Sequence, residues 1–134
     1  MALINFKFAN TNENLNTLLN YALKDIVRSD FGLFDIPGMA SNLDLLYSYR
    51  GLRYEDEVEF YLLPHGNGAK DAPVDFVVIS DLLFNPGEAG LYAYNEFARG
   101  LYAELMRQSE GNEARREKAA TLIQRYNLQE YADM

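Results

Sequence analysis

Between Tyr54 and Leu62 the apolar period is two, in a chain whose longer patterned stretches run at three and four. Even positions carry Tyr54, Val58, Phe60 and Leu62, and odd positions carry Glu55, Glu57, Glu59 and Tyr61. Successive side chains leave a strand on opposite sides, so this pattern predicts a strand with one face on a core and the other a row of carboxylates in water. Asp56 breaks the apolar face near its start, which predicts either a frayed end or a buried part that begins at Val58. A strand needs a neighbour for its backbone groups, and Val74 to Ile79 supplies one. Beyond Asp75 it is apolar on both faces, so it is expected to be the more covered of the two. Residues 64–73 between them are rich in Pro, Gly and Asn and too many for a two-residue turn, which predicts an exposed loop. The result is an acidic β-hairpin.

Helical patterning surrounds it. From Asn12 onward Leu15, Leu18, Leu19, Ala22, Leu23, Ile26 and Val27 recur along one helix face, with Asn10 and Glu13 spaced as a capping box and Gly32 placed as a stop. A short helix follows the turn formers Pro37 and Gly38, capped by Ser41 or Asn42, with Leu43, Leu46 and Tyr47 or Tyr49 on its face and Gly51 ending it. After Pro86 and Gly87 the stripe Leu91, Tyr94, Ala98, Leu101, Tyr102 and Leu105 predicts a long helix. Gly111 then separates it from a last helix capped by Asn112, with Ala119, Leu122, Ile123 and Tyr126 inward. So short a connection predicts an antiparallel pair. Leu3, Phe6 and Phe8 allow an N-terminal strand. The expected class is therefore α+β, a small antiparallel sheet against about four helices, and residues 1–134 fit one domain.

Charge narrows the expected partners. The formal net charge is −8, and residues 35–85 alone carry nine carboxylates against Arg50, Arg53 and Lys70. Direct binding to nucleic acid or anionic lipid is not expected, because both need Lys and Arg to displace counterions. The chain has no Cys, which removes disulfides, thiolate metal sites and Cys nucleophiles from consideration and suits a cytoplasmic setting. No basic leader precedes a long apolar run and no stretch reaches the ~20 apolar residues of a membrane span.

The chemistry-bearing candidates each have a plainer explanation. His65 is the one histidine, set before Gly66, Asn67 and Gly68, but no Gly-x-Ser-x-Gly elbow accompanies it and no phosphate-loop Lys follows. Glu55, Glu57 and Glu59 would stand ~6.7 Å apart on one strand face, too far for two of them to hold one cation. Asp56 and Asp75 interrupt apolar patterns as a paired-acid site would, yet both stand at strand ends where Asp serves turns. Arg115, Arg116 and Lys118 alternate with Glu113 and Glu117 at the spacing of local helix ion pairs. No metal, cofactor or catalytic residue is therefore expected.

Tyrosine is the remaining signal. The chain has ten, among them Tyr47, Tyr49, Tyr54, Tyr61, Tyr92, Tyr94, Tyr102, Tyr126 and Tyr131, which looks too many to lie wholly inside. Tyr offers large contact area at little rotamer cost and is enriched where proteins meet. The expectation is a non-catalytic protein-binding domain of the inhibitor, immunity, adaptor or viral accessory kind. It would engage a protein with a basic surface, such as a nucleic-acid-binding protein, through Glu55, Glu57, Glu59 and Tyr61. Two other readings stand beside it: a small enzyme or ligand-binding domain with a Tyr-lined pocket near His65 and Asp75, and a structural subunit of a larger assembly.

Overall fold

The computed structural model describes residues 7–8, 12–32, 41–54, 56–66, 72–83 and 87–132. In chain order these form β1 (Lys7–Phe8), α1 (Asn12–Gly32), α2 (Asn42–Tyr49), β2 (Gly51–Tyr54), β3 (Val58–Pro64), β4 (Val74–Asp81), β5 (Glu88–Ala93), α3 (Tyr94–Ser109), α4 (Glu113–Arg125) and a closing 3₁₀ turn (Leu128–Tyr131). The sheet order is β1-β5-β4-β3-β2, antiparallel throughout except for the two-residue β1, which pairs parallel to β5. This is an α+β fold, a small sheet covered by helices on one face. Among the described residues no helix is long and apolar enough to cross a membrane.

Register decides which side chains meet the helices. Leu52, Phe60, Ile79 and Gly90 lie in one row across β2 to β5, with Leu62, Val77 and Tyr92 in the next, and the apolar members of these rows belong to the main core. From the helical layer Ala22, Leu23, Ile26 and Val27 of α1, Leu43 and Leu46 of α2, and Phe97, Leu101 and Leu105 of α3 close on them. Val58, Phe60 and Leu62 are buried as the alternation predicts, because a slip of one residue would place Glu59 in that core. Ser41 caps α2, its Oγ accepting from the Asp44 backbone N–H at 3.1 Å, and Asn112 caps α4 in the same way through Arg115 at 3.1 Å. α4 packs on α3, and the 3₁₀ turn packs on both. Asn10, Leu3 and Phe6 lie outside the described residues.

Three expectations are corrected. The segment from Tyr54 to Leu62 is two strands and a turn: the Glu57 N–H donates to the Tyr54 carbonyl at 2.9 Å, and Asp56 adopts a left-handed φ of 66°. Asp tolerates that conformation better than most L residues, so its break in the apolar face marks the turn itself. Second, Gly51 opens β2 and does not end α2. The left-handed position after the helix is Arg50 at φ 58°, whose carbonyl accepts from Leu62 N–H at 3.1 Å and whose guanidinium donates to the Ala72 carbonyl at 2.9 Å. Third, Leu91 belongs to a strand. Glu88–Ala93 pairs along β4, and the helical period starts only at Tyr94.

Two glycines let the layers approach. A Cβ on Gly90 would lie 2.6 Å from the Tyr92 ring, which folds over that position so that its hydroxyl donates to the Leu15 carbonyl of α1 at 2.7 Å. A Cβ on Gly100 would lie 2.8 Å from Leu23 at the crossing of α1 and α3.

Candidate functional site

The acidic residues singled out by the alternation diverge. Glu55 lies outside the described residues. Glu57 belongs to the β2–β3 turn and turns toward α1, where its carboxylate accepts from the Tyr21 hydroxyl at 3.2 Å. Burial, followed by the nearby charges of Glu57 and Asp25, pushes the Tyr21 phenol up to about 12, since a phenolate there would face carboxylates. Asp56 is exposed and pairs with Arg53 at 3.0 Å. Among the described members of that set, Glu59 and Tyr61 stand together on the sheet face opposite the main core. The Tyr61 hydroxyl donates to the Glu59 carboxylate, and burial together with that acceptor raises the phenol to about 12. Arg53 stands opposite Glu59 in the register. The expected row of carboxylates is thus not a row.

What lies beside Tyr61 is apolar. Its row continues through Val78 to Leu91, and the next row is Leu63, Phe76 and Ala93. Val78 is buried, but Phe76 is 46 % exposed and Leu91 48 % exposed. These side chains stand on neighbouring strands and face the same way, so with Tyr61 and Leu63 they form one apolar patch edged by Glu59 and Arg53. The sequence reading missed Phe76 as exposed and assigned Leu91 to a helix. The available signal was that a strand apolar on both faces must present one of them away from the helices.

The tyrosines, in contrast, are mostly structural. Tyr54 and Tyr92 are buried in the core, with the Tyr54 hydroxyl hydrogen-bonded to Ser29 of α1. Tyr47, Tyr94, Tyr126 and Tyr131 join α2, α3, α4 and the 3₁₀ turn: Tyr47 stacks on Tyr126 at 4.1 Å, bonds the Tyr94 hydroxyl at 3.1 Å, and Tyr94 meets the Tyr131 ring edge-on at 5.5 Å. At the hub Asp44 accepts from Arg125 at 2.6 and 2.7 Å and from the Tyr126 hydroxyl. Burial alone would raise the Asp44 carboxyl, but the Tyr126 and Arg125 hydrogen bonds and the Arg125 charge outweigh it and hold the group below its ordinary value. Burial pushes Tyr47, Tyr94 and Tyr126 up. Tyr49, by comparison, is 75 % exposed.

His65 and Asp75 do come together. The His65 Nδ1 lies 2.7 Å from a carboxylate oxygen of Asp75, at the loop end of the β3–β4 hairpin, where the His65 backbone N–H also donates to the Pro73 carbonyl at 2.7 Å. Both side chains are exposed. Elsewhere, a groove of about 1060 Å³ runs between α3, α4 and the 3₁₀ turn, with Tyr102, Met106, Ala120 and Ile123 among its walls, and neither His65 nor Asp75 contributes to it. Among the described residues no three His, Asp or Glu side chains are placed to share a metal ion. Arg115 lies over the Phe31 ring at 5.6 Å and donates to the Gln108 carbonyl at 3.4 Å, so it serves to attach α4 to its neighbours. Compared with protein-family models, curated proteins and solved structures, the chain matches none.

Proposed function

We propose that this chain is a non-catalytic protein-binding domain whose contact surface is the helix-free face of the sheet. The observation that supports it is the patch of Tyr61, Leu63, Phe76 and Leu91, two of whose members remain about half exposed on the sheet face opposite the main core. Interfaces combine such an apolar, aromatic centre with a charged rim. Here the rim carries Glu59 beside Arg53, on a chain of net charge −8. A partner with an apolar centre and a basic border complements it. In this reading the apolar patch carries the contact and the carboxylates steer the encounter.

The test is a Phe76→Ser/Leu91→Ser variant. These side chains are exposed, so the melting temperature is expected to stay near that of the parent, and immobilised variant is expected to lose a basic protein that the parent retains from an extract of the source cells. Equal retention of the same proteins by parent and variant would refute the assignment.

A second reading, a small enzyme or ligand-binding domain, draws on the His65–Asp75 contact, because a carboxylate orienting an imidazole is how many general bases are held. Among the described residues the imidazole has no further hydrogen bond to a nucleophile, and the pair stands in open solvent. His65→Ala is expected to leave fold and binding unchanged. Loss of function at an unchanged melting temperature would favour the enzyme instead.

A further inference from the structure

The groove on the helical side is a candidate of a different kind from the sheet face. Its two long walls are helix stripes: Tyr102, Met106 and Ser109 on α3, with Glu110 just past its end, and Arg116, Ala120 and Ile123 or Gln124 on α4, each at intervals of three or four residues. The wall from Tyr102 to Ser109 is ~10 Å long at the rise of an α-helix, about two turns. Tyr102, Met106, Ala120 and Ile123 give it an apolar lining, and Met106 is 49 % exposed. Two parallel ridges with a gap between them are the shape into which a third helix packs, its own side-chain ridge entering the groove. Methionine suits such a seat because its unbranched chain adapts to the shape of the occupant.

Charge selects the class of helix. Three ionisable side chains line the groove, Glu110 and Arg116 near the α3–α4 connection and Glu130 on the 3₁₀ turn, and among the described residues none of the three is in an ion pair. Two carboxylates against one guanidinium leave the lining with one negative charge in excess. We propose that this groove receives a cationic amphipathic helix of a partner protein, its apolar stripe on Tyr102, Met106 and Ile123 and its Lys or Arg flanks on Glu110 and Glu130. The site is independent of the sheet face, since α4 packs on α3 and the 3₁₀ turn and takes no part in the patch around Tyr61.

A synthetic helix of about 15 residues, long enough to have some helicity alone, tests this. It carries Leu at i, i+3, i+4 and i+7, Lys elsewhere, and one Trp; the protein contains no Trp, so the fluorescence is the peptide's own. Two control peptides accompany it, one with the Leu positions scrambled off a common face and one with Glu in place of every Lys. The amphipathic Lys peptide is expected to bind and to gain helicity on binding. Met106→Gln, a neutral change at an exposed position that removes the apolar seat without adding charge, is expected to weaken it at least about tenfold. Ala120→Gln on the opposite wall provides a second, neutral obstruction should Met106→Gln alter the fold. Glu110→Gln/Glu130→Gln is expected to weaken it about three- to tenfold, the size of two exposed charge contacts. Phe76→Ser/Leu91→Ser should leave it unchanged, which separates this site from the sheet face.

Equal binding of the scrambled peptide would reduce the effect to general attraction between opposite charges and overturn the proposal. So would equal or tighter binding of the Glu peptide, or indifference of the Lys peptide to both obstructing variants. A concentration-dependent dimer of the protein alone that Met106→Gln abolishes would assign the groove to a second copy, which also overturns it.

Discussion

Replacing Asp44 with Asn tests whether the tyrosine hub holds α2 to the end of α4. Asn keeps the shape and one carbonyl acceptor but removes the charge to which Arg125 and Tyr126 donate. The Arg125 side chain is 47 % exposed, so the ion pair is screened and contributes about 0.2–1 kcal/mol. A carboxylate in the first turn of α2 adds roughly 0.3–1 kcal/mol against the helix dipole. Exchanging a charged for a neutral acceptor under the half-buried Tyr126 hydroxyl costs about 1 kcal/mol more. Together these give about 2 kcal/mol, or a fall in melting temperature of roughly 8 °C for a chain of this size. The pH dependence has a definite sign. The folded carboxyl titrates below its ordinary value, so its contribution is fully present above about pH 4 and is lost as pH falls through the lower folded value. Thermal unfolding followed by circular dichroism at neutral and at acid pH should therefore show a gap between parent and Asp44→Asn that closes at low pH. A variant melting within about 1 °C of the parent at neutral pH, or a gap that does not shrink on acidification, would refute the reasoning.

Gly90→Ala is expected to destabilise by about 1–3 kcal/mol in urea unfolding, because the new methyl must displace the buried Tyr92 ring. In the double variant with Tyr92→Phe, which removes the atom nearest that methyl, the loss should be less than the sum of the two single losses. Alkaline unfolding should be cooperative with phenol ionisation: burial raises Tyr47, Tyr92, Tyr94 and Tyr126, so the stability they contribute is present below about pH 10 and is lost as pH rises through the folded values. Ionisation of all ten phenols with no loss of helix signal would contradict it.

The helices were legible because their apolar spacing survives without tertiary information. The stripe from Leu15 to Val27 is α1, and the Ser41 and Asn112 caps are where short polar residues precede apolar runs. The sheet was half legible. Val58, Phe60 and Leu62 alternate and are buried, but Gly51–Tyr54 is four residues long and Glu88–Ala93 mixes Gly and Ala with apolar side chains on both faces, so neither has a period of its own. Both are strands because β3 and β4 offer them unpaired backbone, a long-range condition that no local window contains. The site was less legible still. Exposure of Phe76 depends on helices choosing the other face of the sheet, and the mutual packing of Tyr47, Tyr94, Tyr126 and Tyr131 depends on where four segments far apart in sequence meet. Charge counts along the chain cannot distinguish Glu57, bent toward Tyr21, from Glu59, held beside Tyr61.

That difference yields a separation of effects between two acids only two residues apart. Glu59 stands on the helix-free face at the border of the apolar patch, so its charge is felt by an approaching basic surface and is screened by salt over a Debye length of ~8 Å. Glu59→Gln is expected to lower the association rate with a basic partner by about two- to threefold at low salt, with little change in dissociation, and to make binding less dependent on salt. Glu57 is directed at α1, where it accepts from Tyr21 and raises that phenol. Glu57→Gln should therefore move the Tyr21 titration down from about 12 toward its ordinary value and leave the association rate where it was. Stopped-flow binding across a range of salt measures the first, and phenolate absorbance compared with a Tyr21→Phe background measures the second. If the two substitutions slow association equally, the field arises from the whole acidic segment and not from the sheet face. If neither does, Glu59 contributes nothing beyond solubility, and contact must rest on Tyr61, Phe76 and Leu91 alone, whose replacement then shows in the dissociation rate.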